Sequence, residues 1–244
     1  MSERLDQPGK SLRIQALAIA RRGGLLLIAL AFIGPSASTA QDLSAGAASD
    51  PVHYRIDGDS SWLRVLVYRG GILRGLGHNH VISLNDLAGT VTVPQDPFQA
   101  SLMLEFKVAD LVVDEAESRT LEGDDFRGQI SRKAIAGTRT NMLGKKLLQA
   151  EQFPSIQIRS QKITGRMPNM DIATTVVVKG AEFSVVFPAN VALSNESFVA
   201  SGEMEIRHAG IGLSPFKAGF GTLKVRDTLV LKYEISGLRI IAPE

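Results

Sequence analysis

Apolar and polar residues alternate with a period of two along four long stretches of this chain. Leu63, Val65 and Val67 fall on one face of a strand, with Trp62, Leu66 and Tyr68 beside Arg64 on the other. Leu102, Leu104, Phe106 and Val108 alternate with Met103, Glu105 and Lys107, and Phe198, Ala200, Met204 and Ile206 alternate with Val199, Ser201, Glu203 and Glu205. The last stretch, Leu223 to Ile235, keeps the pattern except at Asp227 and Val230. Successive side chains of a strand point to opposite faces, so each stretch predicts an antiparallel strand with one buried and one wet face. Many such strands without βαβ spacing predict a sandwich or a closed barrel, and a barrel of about eight strands can hold one ligand inside.

One segment departs from the period of two. Between Gln129 and Gln152, Ile130, Ala134, Ile135, Met142, Leu143, Leu147 and Leu148 recur at spacings of three and four. Gly137 and Gly144 interrupt them, which predicts two short helices, the second ended by Phe153-Pro154. The acidic run Asp114, Glu115, Glu117, Glu122, Asp124 and Asp125 lacks calcium-loop spacing and reads as a solvated loop ahead of them. Strands, a small helical insertion and strands again form one domain, 52–240, which the helices could cap at one mouth.

The N-terminus reads differently. Arg21-Arg22 precede an apolar run from Leu25 to Ile33, shorter than the about 20 residues a bilayer span needs. Pro35 follows, and Ser38 and Ala40 offer the small side chains of a cleavage site, so 1–40 reads as an export signal. Residues 41–51 (Ala, Ser, Gly, Asp) read as a linker. Without 1–40 the chain has 22 basic against 23 acidic side chains, a balance that argues against a nucleic-acid partner. No second stretch reaches spanning length. The chain has no Cys, which excludes disulfides, thiolate metal sites and a catalytic thiol. Export without Cys fits a bacterial periplasm or secretion.

Catalytic motifs are scarce. The sequence holds neither G-x-S-x-G nor H-E-x-x-H, and its short Gly-x-Gly elements lack the last glycine of a dinucleotide fingerprint. No nucleophile or acid–base pair announces itself, and no cofactor is expected; the expectation is a protein that binds rather than catalyses. The one polar constellation is Gly77-His78-Asn79-His80. On a strand, His78 and His80 would share a face about 6.5–7 Å apart, and His208 could add a third nitrogen. That spacing admits a metal-binding protein or metal-dependent enzyme using His78, His80 and His208. It equally admits polar groups at a pocket mouth. Trp62, Leu66, Tyr68, Phe106, Phe183 and Phe198 are the candidate apolar contacts of a ligand.

Three elements in order resemble the YceI-like family of exported proteins, across about Val52 to Leu238. They are Tyr54-x-Ile56-Asp57-x-x-Ser60-Ser61, Phe153-Pro154-x-Ile156-x-Ile158-x-Ser160 and Gly210-Ile211-Gly212 ahead of the last strand. Ser60 stands where the family usually has His, and its Arg-Asp pair before the helices is blurred to Glu117-Ser118-Arg119-Thr120. The Leu-Thr-x-x-Gly element is reduced to Val177-Val178-Lys179-Gly180. The resemblance implies a lipocalin-like antiparallel β-barrel holding a long apolar chain, such as a polyisoprenoid or other lipid. His78, Asn79, His80 and Arg207 would then meet its head group.

Overall fold

The computed structural model describes residues 50–241. The export signal read over 1–40 lies outside the described residues, as does the linker over 41–51 except for Asp50 and Pro51. Twelve strands follow: β1 (Val52–Ile56), β2 (Trp62–Gly70), β3 (His80–Leu84), β4 (Ala88–Val93), β5 (Ser101–Lys107), β6 (Val112–Val113), β7 (Ser155–Arg166), β8 (Asn169–Val178), β9 (Ala181–Leu193), β10 (Ser197–Arg207), β11 (Lys217–Ala218) and β12 (Leu223–Arg239). All the pairings are antiparallel.

The sheet closes on itself through β12. This strand pairs from Thr228 to Leu238 with β10, and on its other side with β2 (Lys224↔Gly70 to Glu234↔Trp62) and then β1 (Ile56↔Gly237, Tyr54↔Arg239). β1 and β2 thus form one bent strand, and so do β3 with β4 and β5 with β6, giving an eight-stranded closed barrel. At the first bend Asp57 N donates to Ser236 O at 2.9 Å and Ser236 N donates to Ser61 Oγ at 2.9 Å, so the corner stays bonded to β12. Closure removes the unpaired edges that make open sheets prone to association.

The alternation follows the pleat. Leu63, Val65 and Val67 point into the barrel with Leu104, Phe106, Phe198, Tyr233 and Ile235. Both residues that break the pattern in β12 have a local cause. The pairing with β2 shifts between Val225 and Leu229, which frees Asp227 from the inner face. Val230 faces outward yet stays apolar because it packs on a second small cluster of Leu66, Val81 and Phe126.

The insertion differs from its sequence reading. One helix, α1 (Ala116–Leu121), lies within the acidic stretch, and a second, α2 (Arg132–Leu143), runs through Gly137 without a break. Nothing lies within 4 Å of where a Gly137 side chain would stand, so glycine costs that helix about 1 kcal/mol and does not stop it. Ser131 caps α2, accepting from Ala134 N at 3.2 Å. After Gly144 the chain makes turns rather than a second helix. The acidic run is not uniformly a solvated loop either. Glu117, Asp124 and Asp125 are exposed, whereas Asp114 and the Glu122 side chain are buried in ion pairs. Glu122 joins Arg64 of β2 (3.3 Å) to Lys232 of β12 (2.8 Å), riveting the segment after α1 to the barrel's outer wall.

Candidate functional site

Inward-facing side chains do not fill the barrel. A cavity of about 130 Å³ lies toward the β4–β5 and β9–β10 end, bounded by Val91, Leu104, Phe187, Phe198, Ala200 and Tyr233. A larger one, about 350 Å³, lies toward the other end, between β2, β3 and β12 on one side and α2 with Leu147 and Leu148 on the other. Leu63 and Phe106 line both, so the two chambers adjoin inside the barrel. The smaller chamber offers no free polar group of consequence. Its Thr174 hydroxyl donates to Val185 O at 2.9 Å and its Tyr233 hydroxyl to Pro188 O at 2.5 Å. A space so lined stays dry and favours apolar occupants.

Polarity enters at the larger chamber. Arg69, His78, His80, Thr138, Asn141, His208 and Lys224 face it among apolar neighbours, and among the described residues no carboxylate does. The histidines are fixed differently. His80 Nδ1 lies 2.6 Å from Asp114 Oδ2, which leaves Nε2 for a ligand. Asp114 holds this bond from a left-handed backbone (φ +56°) and also accepts from Val81 N (3.0 Å) and Arg119 Nη1 (2.6 Å). Burial pushes the Asp114 carboxyl up, but the bonds from His80, Val81 and Arg119 outweigh it and hold the group below its ordinary 3.8. Arg119 is itself buried and donates to Asn79 O (2.8 Å) and Gly128 O (3.0 Å). His208 is buried with Nδ1 2.7 Å from Asp227 O. His78 is exposed, its ring 6.3 Å from that of His80.

The sequence-predicted residues thus divide. Phe106, Phe198, His78, His80 and His208 line the lumen. Trp62, Leu66 and Tyr68 do not: their parity sets them on the outer face, where the Arg64 guanidinium lies over the Trp62 ring (4.2 Å) and Tyr68 meets Phe126 edge-on (5.3 Å). Asn79 is a loop pin, accepting from Arg69 N and donating to Asp125 O, both at 3.0 Å. The Phe183 ring lies against Gly212 and walls neither chamber. Arg207 pairs with Asp227 at 2.7 Å rather than facing the lumen. Among the described residues no three His, Asp or Glu side chains gather to hold a metal, so His78, His80 and His208 do not make a ligand set. Sequence reasoning missed Asp114 and Arg119; the only pointer to the latter was its place in the blurred Arg-Asp element.

A description of the YceI-like domain matches residues 54–236 of this chain. Among solved structures the fold is similar to that of BcnA from Burkholderia cenocepacia, with a TM-score of 0.52 at 15% identity, covering 74% of this chain and 98% of that one. The YCEI protein of Campylobacter jejuni is a fainter likeness, with a TM-score of 0.44 at 12% identity over 65% of this chain and 84% of that one. No curated protein matches.

Proposed function

The chain belongs to the YceI-like family, and from that premise we propose that it is an exported, non-enzymatic carrier that holds a single long apolar chain, such as a polyisoprenoid or other lipid, inside the barrel. The observation that carries this reading is the pair of adjoining chambers within a closed barrel, one apolar and one apolar with a polar side, that share Leu63 and Phe106. Burying a chain there yields roughly 0.8 kcal/mol per CH₂ removed from water, so several isoprene units suffice without a strong polar contact. A polar head would face His78 and His80, with the Nε2 of His80 oriented by Asp114. Export rests on residues 1–40 and places the carrier in a periplasm or outside the cell.

Native mass spectrometry of the chain purified from the periplasm of an expressing bacterium tests this. The expected result is a mass excess of several hundred daltons that partitions into organic solvent. A bare polypeptide that also fails to take up an apolar dye would overturn the reading.

A further inference from the structure

Two loops frame the surface end of the larger chamber, one joining β2 to β3 and the other the β11–β12 hairpin. They are locked together: Leu73 N donates to Thr222 O at 3.1 Å, and Gly71 (φ +87°) lets the backbones approach, since a Cβ there would lie 2.6 Å from the same oxygen. Leu76, Phe216, Leu223 and Lys224 from these loops line the chamber. Their tips carry apolar side chains into solvent: Phe220 is fully exposed, Ile72 is 90% exposed and Leu76 75%.

Fold stability does not account for these residues. Phe220 sits between Gly219 and Gly221 in a left-handed conformation (φ +54°), where a bulky side chain is disfavoured and glycine or asparagine is the ordinary choice. It packs on nothing that would offset the strain, and strain kept at an exposed tip is a mark of function. Lys217 and Lys224 are direct cross-strand partners, an arrangement that like charges destabilise. Arg74 adds a third positive charge among the apolar residues of the first loop. None of residues 60–85 or 206–226 is acidic.

We infer that this end of the barrel docks on an anionic lipid surface, inserting Ile72, Leu76 and Phe220 among the headgroups while Arg74, Lys217 and Lys224 meet the lipid charge. Exposed apolar side chains ringed by Lys and Arg are what interfacial binding requires, since burial and attraction to anionic lipid act together. Docked this way, the larger chamber opens onto the bilayer rather than onto water. The inference stands on the loops and does not depend on what the lumen holds.

The chain has no Cys, so Phe220→Cys and Asn195→Cys each give one site for an environment-sensitive fluorophore. Asn195 lies in the β9–β10 turn at the opposite end of β12. With phosphatidylglycerol-containing vesicles the probe at 220 should shift to the blue and brighten several-fold, while that at 195 stays unchanged. Lys217→Glu with Lys224→Glu should abolish the response at 220. Silence at 220, an equal response at both sites, or an equal response to neutral phosphatidylcholine vesicles would overturn the inference. So would a blue shift that needs no vesicles and grows with protein concentration, the sign of a second copy on this surface.

Discussion

His80 Nδ1 and Asp114 Oδ2 meet at 2.6 Å across a sequence separation of 34 residues, and the same carboxylate takes Arg119 on its other oxygen at 2.6 Å. The network ties the start of β3 to the segment that leads into α1, so it holds the insertion against the barrel. Asp114→Ala leaves the buried Arg119 guanidinium without its counter-charge, held only by Asn79 O and Gly128 O, and the Val81 N–H without its side-chain acceptor; removing one partner of a buried pair costs about 3–5 kcal/mol. Urea unfolding of the variant should show that loss with an unchanged slope. A cost below about 1 kcal/mol would mean that water replaces the carboxylate and the network is not structural.

Acid should act through the same residue. The folded-state value of Asp114 is depressed below 3.8, so its contribution is present above that pH and is lost as the pH falls through the depressed value. Unfolding free energy of the natural chain should therefore decline below about pH 4. Asp114→Asn should start lower and decline less over the same window. Parallel curves for the two proteins would assign the acid sensitivity to other carboxylates.

How far the sequence could be read depended on the range of the contacts involved. The inward face was legible because alternation is local: Leu63, Val65 and Val67 face inward for the reason that any strand presents every second residue, whereas alternation alone does not separate a sandwich core from a barrel lumen. Trp62, Leu66 and Tyr68 were misplaced although their parity already set them opposite that face. Their apolar character on the outer wall makes sense only once Phe126, from the insertion, covers Leu66 and Tyr68. The acidic stretch failed for the same reason. Asp114 and Glu122 look solvated until His80, Arg64 and Lys232 arrive, the last from 110 residues away. Gly137 misled in the other direction, since a glycine stops a helix only when context requires it.

The lumen can be tested by filling it. Ala200 on β10 borders the smaller chamber, so Ala200→Leu places three further carbon atoms into space that is already empty. Overpacking a close-packed core costs about 1–3 kcal/mol; here the melting temperature should hold within a few degrees while lipid recovered per mole of protein falls. Equal recovery from both proteins would show that the smaller chamber is not part of the ligand path.

Tyr233 offers the alkaline counterpart. Its hydroxyl donates to Pro188 O across β10, a path left open because residue 202 is glycine, and burial raises its ionisation to about 12. A group whose folded value is raised stabilises the fold fully below its ordinary value and ceases to do so as the pH climbs through the raised one. Stability should therefore drop between about pH 10 and 12, and part of the phenolate absorbance should appear only with unfolding. In Tyr233→Phe that coupled fraction should shrink to what Tyr54 and Tyr68, also raised by burial, contribute, at a cost of about 1 kcal/mol at neutral pH for the lost hydrogen bond. Full tyrosine ionisation near pH 10 with the fold intact would show the hydroxyl to be in contact with water.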